Sequence, residues 1–172
     1  FLILLFSPCF IISQNQKAKN FLNKAEKLFN DSSYQKAINY YDSAISVSNS
    51  YSKAYYKRAI CNSFLSNFNL SIKDLDTVIS IKKKNAEAYL LRGFYYRELH
   101  EYENAILDQK KAIKYSSDNE NLIDKCSFLY NLPSKGKPLI EIDNYYDAGS
   151  YFPYPYFIIG HCYYRLGEYE EA

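Results

Sequence analysis

Cysteine and histidine are the residues of this chain best suited to nucleophilic catalysis or metal binding, and both are few. The 172 residues include four cysteines and two histidines. No CxxC pair or other metal-ligand spacing joins the cysteines. His100 and His161 stand in no sequence order that suggests a Ser-His-Asp or Cys-His arrangement, and no glycine-rich phosphate loop occurs. The sequence therefore predicts no catalytic constellation, no metal site and no cofactor.

The charged residues argue against binding to nucleic acid. Lysine and arginine number 21 against 19 acids, which leaves a net charge of +2, and the two signs are mixed along the chain. Nucleic-acid-binding proteins usually carry a basic stripe. We interpret the acids Glu168, Glu170 and Glu171 as helix surface.

A fixed period organises the chain, and the spacing from Ala25 to Ala59 defines one repeat length. Small residues recur at this spacing at Ala25, Ala59, Gly93 and Ser127, and again, one position early, at Gly160. A bulky apolar residue stands four positions before each: Phe21, Tyr55, Tyr89, Ile123 and Tyr156. A third column is aromatic: Tyr34, Phe68, Tyr102 and Tyr169. A fourth column is small: Ala37, Ser71, Ala105 and Ala172. Such columns predict paired helices that cross closely at small residues and stack into one continuous core.

These columns resemble the tetratricopeptide repeat. The third unit matches best, with Tyr89, Gly93, Tyr96, Tyr102 and Ala105 where the family has them. The second unit departs from the pattern, since Asn62 replaces an aromatic residue, and the usual proline between repeats is missing. The resemblance implies an all-α fold, a right-handed superhelical solenoid of antiparallel helix-turn-helix hairpins. In that fold the first helix of each hairpin, helix A, lines the concave surface.

The period predicts three units at 18–51, 52–85 and 86–119, and the start of a further unit at 153–172. Residues 120–152 have the length of one more unit, but Pro133, Gly136 and Pro138 interrupt them. We expect a degenerate unit there, and a specialised binding loop is the alternative.

The N-terminal run FLILLFSPCFII is too short to span a bilayer and suits the apolar region of a secretory signal. We interpret residues 1–13 as a signal remnant cleaved near Ser13 or Gln14, which predicts a periplasmic or secreted protein. A membrane anchor and a buried N-terminal helix are the alternatives. Methionine is absent, the chain begins inside the apolar run, and it stops at Ala172 just inside a strongly patterned helix, so we expect both ends to be truncated.

Cys61 and Cys162 share one repeat position, which predicts small, buried core residues. His100 falls at a hairpin turn beside Glu98 and Glu101, and we expect it to be solvated.

The resemblance implies a non-catalytic scaffold that binds protein or peptide segments through its concave helix-A face. Aromatic and arginine side chains dominate binding energy at protein interfaces. The candidate contact residues are Tyr56, Lys57, Phe94, Arg97, Phe128, His161, Tyr164 and Arg165. Packing between hairpins is the alternative for Phe94 and Phe128. A second hypothesis makes the chain the sensing or docking region of a larger protein with an enzymatic or membrane domain.

Chaperone-binding members of the family grip a C-terminal carboxylate with lysine, asparagine and arginine side chains. The aligned positions here hold Leu22, Glu26, Lys57, Glu87 and Leu91. Only Lys57 is basic, and the two glutamates would repel a carboxylate. The sequence therefore predicts no Hsp70/Hsp90-type carboxylate clamp.

Overall fold

The computed structural model describes residues 8–48, 50–116 and 154–167. Within these ranges it contains helices and no strand. The seven helices are α1 (Pro8–Asn30), α2 (Tyr34–Val47), α3 (Ser52–Phe64), α4 (Phe68–Ile81), α5 (Ala86–Glu98), α6 (Tyr102–Tyr115) and α7 (Tyr154–Leu166). The predicted all-α class is confirmed.

The helices form hairpins that repeat along the chain. Helix α1 packs against α2, α3 against α4, and α5 against α6; α2 also packs against α3, α4 against α5, and α6 against α7. Both ends of α5 and α6 lie one repeat length after the corresponding ends of α3 and α4. Because each hairpin contacts its neighbours, the architecture is a solenoid, as the period predicts.

The turn inside each hairpin is built in the same way every time. Ser32, Ser66 and His100 have φ values of 55°, 60° and 64°, which is the left-handed region. Such a residue ends the first helix and lets the chain reverse. At the third turn the amide of Glu101 donates to the Tyr96 carbonyl at 2.9 Å, which satisfies a carbonyl left open at the helix end. His100 is exposed at this turn, as expected.

The small-residue columns mark the helix crossings. Ala25, Ala59 and Gly93 are buried. A Cβ on Gly93 would lie 2.7 Å from Nε2 of Gln109 and 3.1 Å from the Ala105 carbonyl oxygen of α6. The predicted close crossing at Gly93 is therefore confirmed.

Candidate functional site

The first helices of hairpins one and two present a surface of charged and aromatic groups. Lys53 of α3 forms an ion pair with Glu26 of α1, with 2.8 Å between Nζ and Oε1. The Lys57 ammonium lies 5.7 Å from the centre of the Phe29 ring, within range of a cation–π interaction. Tyr56 is half-buried beside it in the sequence. The Lys53 and Lys57 contacts thus join α3 to α1.

An aromatic cluster closes one end of this surface. The rings of Tyr34 and Phe64 are stacked with 4.5 Å between centroids, and Phe29 contacts both edge-on. All three side chains are half-buried. This cluster joins the turn of the first hairpin to the end of α3.

Helix α5 presents less surface than the sequence analysis expected. Phe94 is 1% exposed and belongs to the main hydrophobic core, where its ring packs edge-on against Tyr95. Phe94 is therefore a core residue, and the alternative of packing between hairpins describes it better than a role in ligand contact. Ile60 of α3 and Leu90 and Leu91 of α5 are likewise buried.

Arg97 is also withdrawn from solvent. It is 8% exposed, its guanidinium lies 4.5 Å from the centre of the Phe94 ring, and its Nη2 donates to Oε1 of Glu98 at 2.6 Å. The Glu98 carboxylate balances the charge of Arg97. Arg97 therefore lies at the edge of the surface and is not a cation that a partner could pair with.

Helix α7 exposes the remaining candidates. His161, Tyr164 and Arg165 are all exposed, Tyr164 by 60%. Burial of part of the imidazole and the nearby guanidinium groups of Arg97 and Arg165 lower the pKa of His161. The neutral form of the ring is therefore favoured. Phe128, like the predicted unit at 120–152, lies outside the described residues.

A buried charge network escaped the sequence analysis. Arg92 of α5 donates from Nε and Nη2 to both carboxylate oxygens of Asp108 on α6, at 2.6 and 2.8 Å. Its Nη1 reaches Asp76 on α4, in the preceding hairpin, at 2.5 Å. One guanidinium therefore ties together three helices from two hairpins.

The same network occurs one repeat earlier. Arg58 of α3 binds both carboxylate oxygens of Asp74, at 2.9 and 2.6 Å, and also pairs with Asp42 of α2. We call these two networks the arginine ladder. Its residues stand one repeat length apart in each column, so a search for charged columns beside the apolar ones would have found it.

The ladder holds its arginines firmly in the charged state. Burial lowers the pKa of Arg92, but the hydrogen bonds and negative charges of Asp108 and Asp76 outweigh this and raise the pKa above its ordinary value. For Arg58 the hydrogen bond to Asp74 is the largest cause of a raised pKa. Each arginine is thus paired with carboxylates of its own network, which indicates a structural role.

The described cysteines are poor nucleophiles. Cys61 and Cys162 are fully buried, as expected. Burial raises the pKa of the Cys61 thiol to about 12 and that of Cys162 to about 11. Since the thiolate is the reactive form, both thiols are unreactive in the folded chain at neutral pH. Over the described ranges, no group of three or more His, Cys, Asp or Glu side chains is placed to hold a metal ion.

Comparison with known families agrees with the hairpin geometry. The family model for the tetratricopeptide repeat matches residues 86–119 and 154–172. These two segments are tetratricopeptide repeats. Tetratricopeptide repeats generally form protein–protein interaction modules.

Relatives and solved structures are similar to this hairpin array. The Hsp70-Hsp90 organizing protein of Triticum aestivum is 26% identical over 116 residues, 66% of this chain and 20% of that protein. The chain thus spans about a fifth of that relative's length. The first tetratricopeptide domain of Spaghetti (RPAP3), bound to the HSP90 peptide SRMEEVD, superimposes with a TM-score of 0.60 at 22% identity, over 64% of this chain and 88% of that one. A double mutant of MamA gives 0.65 at 15% identity, over 90% and 68%.

Proposed function

We propose that this tetratricopeptide chain binds protein or peptide segments, without catalysis, through the exposed surface of its first helices α1, α3, α5 and α7. The observation that carries the proposal is the exposed group on α7, where Tyr164 and Arg165 follow His161 by three and four residues and therefore lie next to it on the helix surface. A tyrosine that is 60% exposed beside an arginine is a typical anchor pair at protein interfaces. Lys57 and Tyr56 on α3 extend the same kind of surface.

We propose further that the partner is not held by a terminal carboxylate. Two positions of the clamp pattern, Leu22 and Leu91, are buried in the core. A third, Glu26, is an acid paired with Lys53. Lys57 is the one basic group at these positions, and a single cation does not form a clamp.

The test uses peptides selected on the purified chain from a phage-displayed library. The double variant Tyr164→Ala, Arg165→Ala is expected to weaken binding of a selected peptide by about 2 kcal/mol, or roughly 30-fold in Kd, because it removes both anchors. Fluorescence anisotropy with the labelled peptide measures Kd. The peptide SRMEEVD is expected to show no saturable binding.

The matched control is Leu107→Ala, Lys114→Ala. It removes one large apolar side chain and one cation that are exposed on α6, a second helix. This control should leave Kd unchanged within about twofold, a difference of roughly 0.4 kcal/mol. Equal weakening by the two double variants would show that the first helices do not form the binding surface.

We also propose that the chain is exported and cleaved near Ser13 or Gln14. The first described core residues of α1 are Ala18 and Leu22, so cleavage there would leave the packed part of the helix intact. In the described part of the chain, no helix has the length and apolar character needed to cross a membrane.

Export is tested by expressing the complete gene and sequencing the N-terminus of the product. We expect the mature chain to begin close to Gln14. Signal cleavage needs a small residue at the site, so Ser13→Tyr should cause the precursor to accumulate. A membrane-bound product that keeps the apolar run would instead favour the anchor.

A further inference from the structure

The packing of α7 repeats the packing of the earlier first helices. Three residues of α7 are fully buried: Pro155, Ile158 and Cys162. In the register that aligns Gly160 with Gly93, they occupy the positions of Ala88, Leu91 and Tyr95 on α5, which are also fully buried. Helix α5 contacts α4, the second helix of the preceding hairpin, where Tyr95 stacks on Phe68, and helix α7 contacts α6. Helix α7 therefore packs against α6 as α5 packs against α4.

The polar contacts between α6 and α7 arise at the same repeat position as those between α4 and α5. Asp76 of α4 accepts a hydrogen bond from Arg92 of α5. Lys110 stands one repeat length after Asp76, on α6, and its Nζ donates to the Tyr163 hydroxyl of α7 at 2.9 Å. In both cases the residue at this repeat position of the second helix makes a polar contact with the first helix that follows it.

The aromatic residue that begins a second helix contacts the end of the following first helix at both junctions described here. Tyr34, the first residue of α2, stacks on Phe64 near the end of α3. Tyr102, the first residue of α6, lies under the guanidinium of Arg165 near the end of α7, with 5.9 Å between that group and the ring centre. The turn after α7 also matches, since Gly167 has a φ of 83° and occupies the position of His100 in the same register.

We propose that α7 is the first helix of a hairpin that stacks directly on the α5–α6 hairpin, with no hairpin between them. The period alone would place a different helix on α6, at about 120–132, because Gly160 follows Gly93 by one position less than two repeat lengths. Direct stacking brings the exposed face of α7, with His161 and Arg165, next to Arg97 and Glu98 of α5. This inference does not depend on the proposed binding function.

Distances between spin labels test the arrangement in the intact chain. One label pair, Leu107→Cys with Arg165→Cys, spans α6 and α7. The pair Lys73→Cys with Glu98→Cys occupies the corresponding positions on α4 and α5 and serves as an internal ruler. The four native cysteines are replaced by serine or alanine in both proteins. Pulsed electron paramagnetic resonance then gives the two distance distributions.

Direct stacking predicts that the two distributions have the same centre within about 5 Å, well under the 8–10 Å between neighbouring helix axes. An intervening hairpin would add two helices, and would lengthen the Leu107–Arg165 distance by roughly 16–20 Å relative to the ruler. A difference of that size would overturn the proposal.

A second measurement needs no cysteine replacement. A photoreactive p-benzoylphenylalanine at Tyr163 should cross-link to α6, near Lys110, and mass spectrometry identifies the linked peptide. Absence of an α6 peptide among the products, with links only to residues 117–153, would show that α7 does not contact α6. Failure here leaves the peptide-binding test above unaffected.

Discussion

Replacing Arg92 by leucine is expected to lower the free energy of unfolding by about 3 kcal/mol, because it leaves the buried Asp108 carboxylate without its main partner. The Asp108 side chain is 3% exposed, and Arg92 supplies two hydrogen bonds to it. Loss of one partner of a buried pair typically costs about 3–5 kcal/mol. We expect the lower end, since Lys111 lies 3.9 Å from the same carboxylate and compensates part of the charge.

Two further variants separate the buried pair from the exposed one. Asp76 is 53% exposed, so Asp76→Asn should cost less than about 1 kcal/mol. The double variant Arg92→Leu, Asp108→Leu removes both buried charges and should recover most of the stability, because an apolar pair of similar volume often replaces a buried ion pair without loss. Urea denaturation followed by circular dichroism in the far ultraviolet provides the measurement. If Arg92→Leu and Asp76→Asn prove equally mild, the ladder does not stabilise the array.

The ladder also marks where the repeats are alike and where they differ. In the first hairpin Lys24 stands in the arginine column, and its ammonium lies 5.9 Å from the centre of the Tyr40 ring. In α7 the corresponding residue is Ile159, and Lys110 replaces the forward-reaching aspartate. The charge network therefore joins hairpins one to three and does not continue between the described parts of α6 and α7. Stacking at that junction depends on apolar packing and on the Lys110–Tyr163 contact.

The hairpins could be predicted from the sequence because the contacts that form each one recur within every repeat. A small residue at each crossing and a bulky residue four positions earlier are needed by every pair of helices, so they recur at a fixed period. The turns follow the same rule, although the left-handed residues Ser32, Ser66 and His100 are not glycines. The charged columns obey the period equally well, and were missed because apolar residues alone were aligned.

The surface was harder to predict, because exposure depends on neighbours and not on position within a helix. Helix α5 lies between α4 and α6 and also contacts α7, so Leu90, Leu91 and Phe94 are all buried. His161 and Tyr164 of α7 occupy the positions of Phe94 and Arg97, and they are exposed among the described residues, which include no first helix after α7. Residue type also failed to separate these cases, since an aromatic side chain suits a core and an interface alike.

Replacing Gly93 by leucine is expected to destabilise the chain by about 3 kcal/mol, at the upper end of the usual cost of overpacking a core. Of the three atoms nearest to a Cβ at this position, the Ala105 carbonyl oxygen at 3.1 Å belongs to the backbone of α6 and cannot move without opening that helix. The nearest atom, Nε2 of Gln109 at 2.7 Å, donates a hydrogen bond to the buried Leu90 carbonyl. Displacing this buried amide would leave its N–H group without a partner, which adds to the cost.

Two further variants test whether overpacking at the α5–α6 crossing causes the loss of stability. Gly93→Ala gains up to about 1 kcal/mol of helix propensity, but it places a methyl group against Gln109 and Ala105. We therefore expect a net loss smaller than that for leucine. Lys73→Leu adds the same side chain at an exposed position on α4 and should change the stability by less than about 0.5 kcal/mol. Thermal unfolding of the three variants provides the comparison. A Gly93→Leu protein as stable as Lys73→Leu would show that α5 and α6 do not cross closely at this residue, and the register of the whole array would have to be reassigned.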